Sequence, residues 1–217
     1  MPTAYLLDLY DTLAFGDWRS WREELASITG LSQDQIGDAY ERTRAARNRG
    51  EFETPEGDMK AILDAAELDA SLADRVLEAE AAFGDRVELF DDVLPTLARM
   101  RQGGHRTVIV SNCSWGTRQS VERLGLDRAC DAVVLSCEVG VHKPEPGIYR
   151  TALNQLDVEP GDAVFVDDQT AYCDGARALG IDTRLIQRPT ATPFEGFGPT
   201  TNGHTVITGL AELLDAS

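Results

Sequence analysis

Tyr5-Leu6-Leu7-Asp8-Leu9-Tyr10-Asp11-Thr12-Leu13 decides how this chain folds. An apolar run closes on an acidic residue and gives way to a short polar turn. A buried parallel strand delivers a carboxylate to the carboxyl edge of a sheet in this way, and open α/β folds keep their ligands at that edge. Later apolar runs repeat the pattern. Thr107-Val108-Ile109-Val110 leads into Ser111 and Asn112, Ala132-Val133-Val134-Leu135 leads on to Lys143, and Ala163-Val164-Phe165-Val166 leads into Asp167 and Asp168.

Between the first and second of these runs the pattern is helical. Asp17 caps a helix with Trp18, Trp21, Leu25 and Ile28 on one face, and Gly30 ends it. Ser32 opens a second helix, from Gln33 to about Arg49, with Ile36, Ala39, Tyr40 and Thr43 inward. Thr54-Pro55 starts a third through Ala66, and Ala70 to Phe83 reads as a fourth. From Val87 strands and helices alternate. Helices are expected from Asp92 to Gln102, from Thr117 to Leu124, from Gly147 to Leu156 and up to Leu179. A strand follows at about Thr183–Ile186, then a loop over Arg188–Gly203, then a last strand at Thr205–Ile207 and a helix at Leu210–Leu214. Strands separated by helices imply right-handed βαβ units and a parallel sheet covered on both faces.

The chain has 217 residues, enough for one domain with a modest insertion. Its formal charge of −17 argues against nucleic acid as a partner, because phosphate backbones are bound through basic faces. No apolar run approaches the roughly 20 residues that span a bilayer. Met1-Pro2-Thr3-Ala4 lacks the basic flank and apolar stretch of a signal peptide. Cys113, Cys130, Cys137 and Cys173 show no CxxC spacing and are expected to be reduced, buried thiols. A cytoplasmic location follows as the expectation.

An acid, a hydroxyl, a lysine and an acid pair, in that order after successive strands, resemble the motifs of the haloacid dehalogenase superfamily. The context Lys143-Pro144-Glu145-Pro146 fits as well. The resemblance implies a Rossmann-like three-layer sandwich, with a catalytic core over residues 1–15 and 85–217 and an inserted α-helical cap over 16–84. It implies Asp8 as nucleophile, Lys143 as the cation beside it, and Ser111, Asn112 and Thr12 as the cradle for phosphate oxygens.

Asp167 and Asp168 beside Asp8 put three carboxylates together, which like-charge repulsion opposes. A hard divalent cation, most plausibly Mg²⁺, resolves this. By resemblance its ligands would be Asp8, the backbone carbonyl of Tyr10 and Asp168, with Asp167 acting through water.

Two positions depart from the family's phosphatases. Tyr10 stands where they carry a second Asp that protonates the leaving alcohol, and a phenol with a reference pKa of about 10 is a poor base at neutral pH. Asp-x-Tyr is the pattern of the 2-haloacid dehalogenases, which work without metal and lack the acid pair. Asp11, next in sequence, offers an alternative proton donor. Tyr172 stands where many relatives have an Asn or Asp. Within the helical segment, Arg19, Arg22, Arg42, Arg44, Arg47 and Arg49 read as a solvated basic face that can include an anion contact, and Trp18 and Trp21 as helical core.

The expected activity is Mg²⁺-dependent hydrolysis of a small phosphate monoester through an aspartyl-phosphate on Asp8. The alternatives are 2-haloacid dehalogenation with the same nucleophile, or a weakly active or non-catalytic binding protein that keeps the fold. The expected partner is a small phosphorylated or otherwise anionic molecule, and the expected state is a monomer or homodimer.

Overall fold

The computed structural model describes residues 3–188 and 201–215. The fold starts from β1 (Ala4–Leu7), whose residues are all buried because helices cover both faces of the sheet. A two-residue strand, β2 (Ala14–Phe15), follows the turn after Asp8. The chain then runs through four helices, α1 (Trp18–Thr29), α2 (Gln33–Asn48), α3 (Pro55–Ala65) and α4 (Ala73–Arg86). It returns through β3 (Glu88–Leu89), antiparallel to β2.

The helix starts are where capping chemistry placed them. The Asp17 side chain accepts from Ser20 N at 3.0 Å, Ser32 forms a capping box with Gln35, and Thr54 precedes Pro55 at the first helical position. Gly30 closes α1 at φ 76°, in the left-handed region that favours glycine. The expected fourth helix is split. A 3₁₀ turn at Ala70–Leu72, capped by Asp69, precedes α4, which runs on to Arg86.

The rest of the chain alternates as expected. In order come α5 (Val93–Gln102), β4 (Arg106–Ser111), α6 (Thr117–Arg123), α7 (Leu126–Ala129), β5 (Ala132–Leu135), α8 (Ser136–Val139), α9 (Pro146–Leu156), β6 (Ala163–Asp167), α10 (Thr170–Arg177), β7 (Asp182–Ile186), β8 (Thr205–Ile207) and α11 (Glu212–Asp215). The short helices α7 and α8 were not expected. Each is a single turn, too short to carry a periodic apolar pattern. Helix α10 ends at Arg177, before the expected Leu179. The loop expected over Arg188–Gly203 falls largely on residues 189–200, outside the described residues.

The main sheet is six-stranded in the order β5-β4-β1-β6-β7-β8, and every pairing in it is parallel. The winding reverses between β1 and β6, so the ligand crevice of such a sheet lies at the carboxyl ends of those two strands. One apolar cluster joins the side of β1 carrying Tyr5 and Leu7 to the helical segment, including Trp21, Leu25, Ile36, Ile62 and Phe83. A second, around Leu6, Val110, Tyr149 and Phe165, packs α9 and α10 against the other face. All four cysteines are free and buried, and Cys113 Sγ lies 3.8 Å from Cys137 Sγ. Among the described residues, no helix is long and apolar enough to cross a membrane.

Candidate active site

Asp8 is held by continuation of the sheet. Its backbone N–H donates to Val166 O at 2.9 Å, so its carboxylate emerges at the switch point beside the end of β6. The chain then turns at once. Asp11 N donates to Ala14 O at 2.7 Å, and Leu13 N and Ala14 N both donate to Leu9 O. Asp11 takes φ 58° at the bend, a left-handed conformation that Asp tolerates better than most side chains do.

Lys143 crosses from the loop after α8. Its Nζ donates to Asp8 Oδ1 and to Asp167 Oδ2, each at 2.6 Å, and it is 1% exposed. Burial by itself opposes the lysine charge, but Asp167 and Asp8 outweigh it and hold the pKa well above the ordinary lysine range. The ring of Tyr172 lies 4.9 Å from the ammonium, a cation–π contact. Asn112 fixes the backbone of the same lysine. It accepts from Lys143 N at 2.7 Å and donates to Lys143 O at 2.8 Å. The side chain expected to face a phosphate oxygen is therefore engaged in positioning Lys143. Its residue still lines the cavity.

Asp8, Asp167 and Asp168 each offer an oxygen, and these oxygens lie within 4.8 Å of one another. Asp167 is fully buried and engaged on both sides, by Lys143 and by Gln169 N, which donates to Oδ1 at 2.8 Å. Asp168 is different. Its Oδ1 is buried with no hydrogen-bond partner. The pKa values of both are raised, first by burial. Asp8 raises both further, Lys143 opposes the rise, and Asp167 adds to that of Asp168. Three carboxylates against one ammonium, with one oxygen unpartnered, form a hard all-oxygen donor set that fits a divalent cation such as Mg²⁺.

The hydroxyls of Ser111 and Thr12 are also buried and unpartnered. Buried polar groups in native proteins nearly always find a partner, so both sites suit the oxygens of a bound anion. The Thr12 carbonyl is accounted for: Arg188 Nε and Nη2 donate to it at 3.0 and 2.8 Å. Arg188 also pairs with Asp92 and stacks at 4.3 Å on Phe90, clamping the turn behind the nucleophile. No local signal in the sequence marked Arg188 for this contact.

Tyr10 packs edge-on against Trp18 at 5.5 Å, and burial drives its pKa well above the ordinary phenol range. It has no use as a base there. Asp11 is better placed. Its residue lines the same cavity, and burial, reinforced by the Asp8 charge, lifts its carboxyl to about 6.

The cavity has a volume of about 1440 Å³ and runs from Asp8 and Lys143 to the inner faces of α1, α2 and α4. Of the basic residues noted in the sequence, Arg22, Arg44 and Arg47 line it, whereas Arg19, Arg42 and Arg49 are exposed. Arg47 is buried, donating to Thr43 Oγ1 at 3.0 Å and to Tyr40 O at 2.9 Å. At the edge of the cavity, His204, for which the sequence suggested no role, is buried between Thr183 Oγ1 at 2.6 Å and Asp174 Oδ1 at 3.0 Å.

A model of the haloacid dehalogenase-like hydrolases matches residues 2–180. The chain is 28% identical over 144 residues to (S)-2-haloacid dehalogenase 1 of Pseudomonas sp. (strain CBS-3), covering 66% of this chain and 62% of the relative. It is 35% identical over 101 residues to the glyceraldehyde 3-phosphate phosphatase of Methanopyrus kandleri, covering 46% of this chain and 43% of the relative. The match thus spans less than two thirds of either relative's length. Among solved structures, the L-2-haloacid dehalogenase of Xanthobacter autotrophicus superposes with a TM-score of 0.68 over 98% of this chain and 97% of its own, at 19% identity. That last likeness is one of fold. With its family model covering most of the sequence, the chain belongs to the haloacid dehalogenase-like hydrolases.

Proposed function

We propose that this hydrolase is a Mg²⁺-dependent phosphatase of a small phosphorylated metabolite, with residues 16–84 acting as a cap over the site. The observation that carries the reading is the cluster of Asp8, Asp167 and Asp168 with oxygens within 4.8 Å and one lysine among them. A dehalogenase that works without metal gains nothing from the third carboxylate, whose burial is costly without a cation.

Asp8 attacks the phosphorus, the P–O bond to the alcohol breaks, and an aspartyl-phosphate forms, which water then hydrolyses. Lys143 holds the nucleophile in place through its bond to Asp8 Oδ1 and offsets charge on the transferring group. Ser111 and Thr12 donate to its oxygens. Asp11 gives a proton to the departing alkoxide and takes one from the water, a role suited to a carboxyl lifted to about 6. Asp8, Asp168 and the Tyr10 carbonyl would hold Mg²⁺, with Asp167 behind them. Bound there, the cation would polarise the phosphoryl group.

A second reading, 2-haloacid dehalogenation, is favoured by Tyr10, since a halide leaves without a proton. The test is hydrolysis of an aryl phosphate, with Mg²⁺ or with EDTA, by the wild type and Asp8→Asn. Turnover that needs the metal and drops by about 10⁴-fold or more in Asp8→Asn supports the phosphatase. Halide release from 2-chloropropionate in EDTA, with no phosphate release, replaces it with the dehalogenase. If neither product forms, the chain is a binding protein on a catalytic fold.

A further inference from the structure

One wall of the cavity is aromatic and continuous. Tyr10 meets Trp18 edge-on at 5.5 Å, and Trp18 meets Phe83 at 4.5 Å and Trp21 at 6.0 Å. Trp21 in turn meets Tyr40 at 4.9 Å. All of these residues line the cavity that holds Asp8. The rings divide into a back and a front. Phe83 and Trp21 are buried, at 5% and 7% exposure, and belong to the apolar cluster beneath the helices. Tyr10 and Trp18 are only half-buried, although they pack on the same cluster. Trp21 is fully part of the expected tryptophan core, while Trp18 packs on the same cluster and keeps part of its surface exposed.

Several charged groups on this wall bond to their neighbours within it. Arg44 meets Glu41 at 3.1 Å, Arg47 bonds to Thr43 and to the Tyr40 carbonyl, and Glu80 accepts the Tyr40 hydroxyl. The aromatic rings give the wall a means of recognition that does not depend on charge. The cavity is also roomy: small-molecule pockets run to roughly 300–1,000 Å³, and this one is about 1440 Å³. A phosphoryl group at Asp8 leaves most of that space to the rest of the substrate.

We propose that the substrate's leaving group carries a planar aromatic ring that packs against Tyr10 and Trp18. The proposal rests on the phosphatase reading and names the class of ester within it. It also gives Tyr10 a purpose. The position beside the nucleophile that lacks the second carboxylate supplies the first ring of the substrate wall. Edge-to-face and offset contacts between rings favour an aromatic body over an aliphatic one of equal area.

The test compares 2-phenylethyl phosphate with ethyl phosphate in the presence of Mg²⁺. Both release an alkoxide, so the chemical step is matched and the ring is the difference. The expected result is a kcat/KM ratio of about 10-fold or more in favour of the ring-bearing ester, seen chiefly in KM. Trp18→Leu should bring the ratio close to one, and Trp18→Phe should retain most of it. A wild-type ratio near one, with both esters turned over, overturns the inference and leaves the phosphatase standing. A ratio that survives Trp18→Leu overturns the placement of the ring. If neither ester is hydrolysed while Asp8-dependent halide release is found, the phosphatase reading falls and takes the proposal with it.

Discussion

The two sides of the cavity are built on opposite principles. On the sheet side, the groups are charged, deeply buried and tied to one another: Lys143 bonds two carboxylates at 2.6 Å, and Asn112 grips the lysine from both backbone ends. On the helical side, the half-buried surface is aromatic, and Arg44 and Arg47 bond to neighbours within the wall. Burying charge fixes geometry, because an ammonium or carboxylate out of water survives only with its partners in place. Aromatic faces accept many shapes. On the proposed function, the sheet side would set the reaction and the helical side what reacts. Changes on the first should depress turnover of every substrate alike, and changes on the second should alter the order in which substrates are preferred.

The largest effect expected is from Lys143→Met. Asp8 and Asp167 lose their shared cation, and breaking a buried pair in this way costs about 3–5 kcal/mol. Turnover should fall by at least about 10²-fold on all esters, as when a preorganised donor to developing charge is removed. Chemical denaturation and steady-state kinetics would check both numbers. A variant that changed substrate ranking while keeping kcat would break the division between the two sides.

Asn112→Ala comes next. The lysine keeps its ion pairs but loses two backbone bonds, so Nζ is held less accurately. Misplacement of a catalytic group by an ångström can cost about 100-fold, and up to that loss is expected in kcat with little change in KM. This variant also marks what sequence can and cannot reveal. Asp8, Ser111, Lys143 and the acid pair were legible because each lies at, or in a segment beyond, the carboxyl end of a strand of the parallel sheet. The grip of Asn112 on a residue 31 positions away was not, nor that of Arg188 on Thr12, 176 positions away. Such contacts depend on side-chain geometry between distant segments and leave no periodic trace. The strands β2 and β3 were missed for another reason: two residues cannot show alternation. In the helical segment, starts and stops were legible from caps, but whether a tryptophan faced core or cavity was not, since Trp18 and Trp21 lie three residues apart on the same apolar face of α1.

A smaller effect is expected from pH on the metal-free protein. Asp167 and Asp168 have folded pKa values raised above those of the unfolded chain, and so does Asp11, at about 6. The folded state then binds more protons than the unfolded state above about pH 4. Stability from these groups is complete below that pH and is lost as pH rises through the folded values. Lys143, whose pKa is raised from an already high value, stays charged throughout and adds no slope. The melting temperature in EDTA should be higher at about pH 5.5 than at about pH 8.5. Adding Mg²⁺ should shrink the difference, because the cation binds the ionised carboxylates. A metal-free protein that gains stability from pH 5.5 upward would contradict the charge balance assigned to the sheet side.

The smallest effect tests the seam between the two sides. Arg49, at the end of α2, pairs with Glu145 at 2.8 Å, two residues from Lys143, and His142 Nε2 lies 3.1 Å from the same carboxylate oxygen. The arginine and glutamate side chains are 41% and 36% exposed, so solvent screens the pair. Arg49→Ala should cost no more than about 1 kcal/mol of stability. If the seam only joins the segments, kinetics should hardly change, and Arg49→Lys should match the wild type. A larger fall in kcat than in stability, relieved by Arg49→Lys, would mean that the helical side steadies the lysine loop. The division between reaction and recognition would then pass through Glu145 and would no longer follow the boundary between sheet and helices.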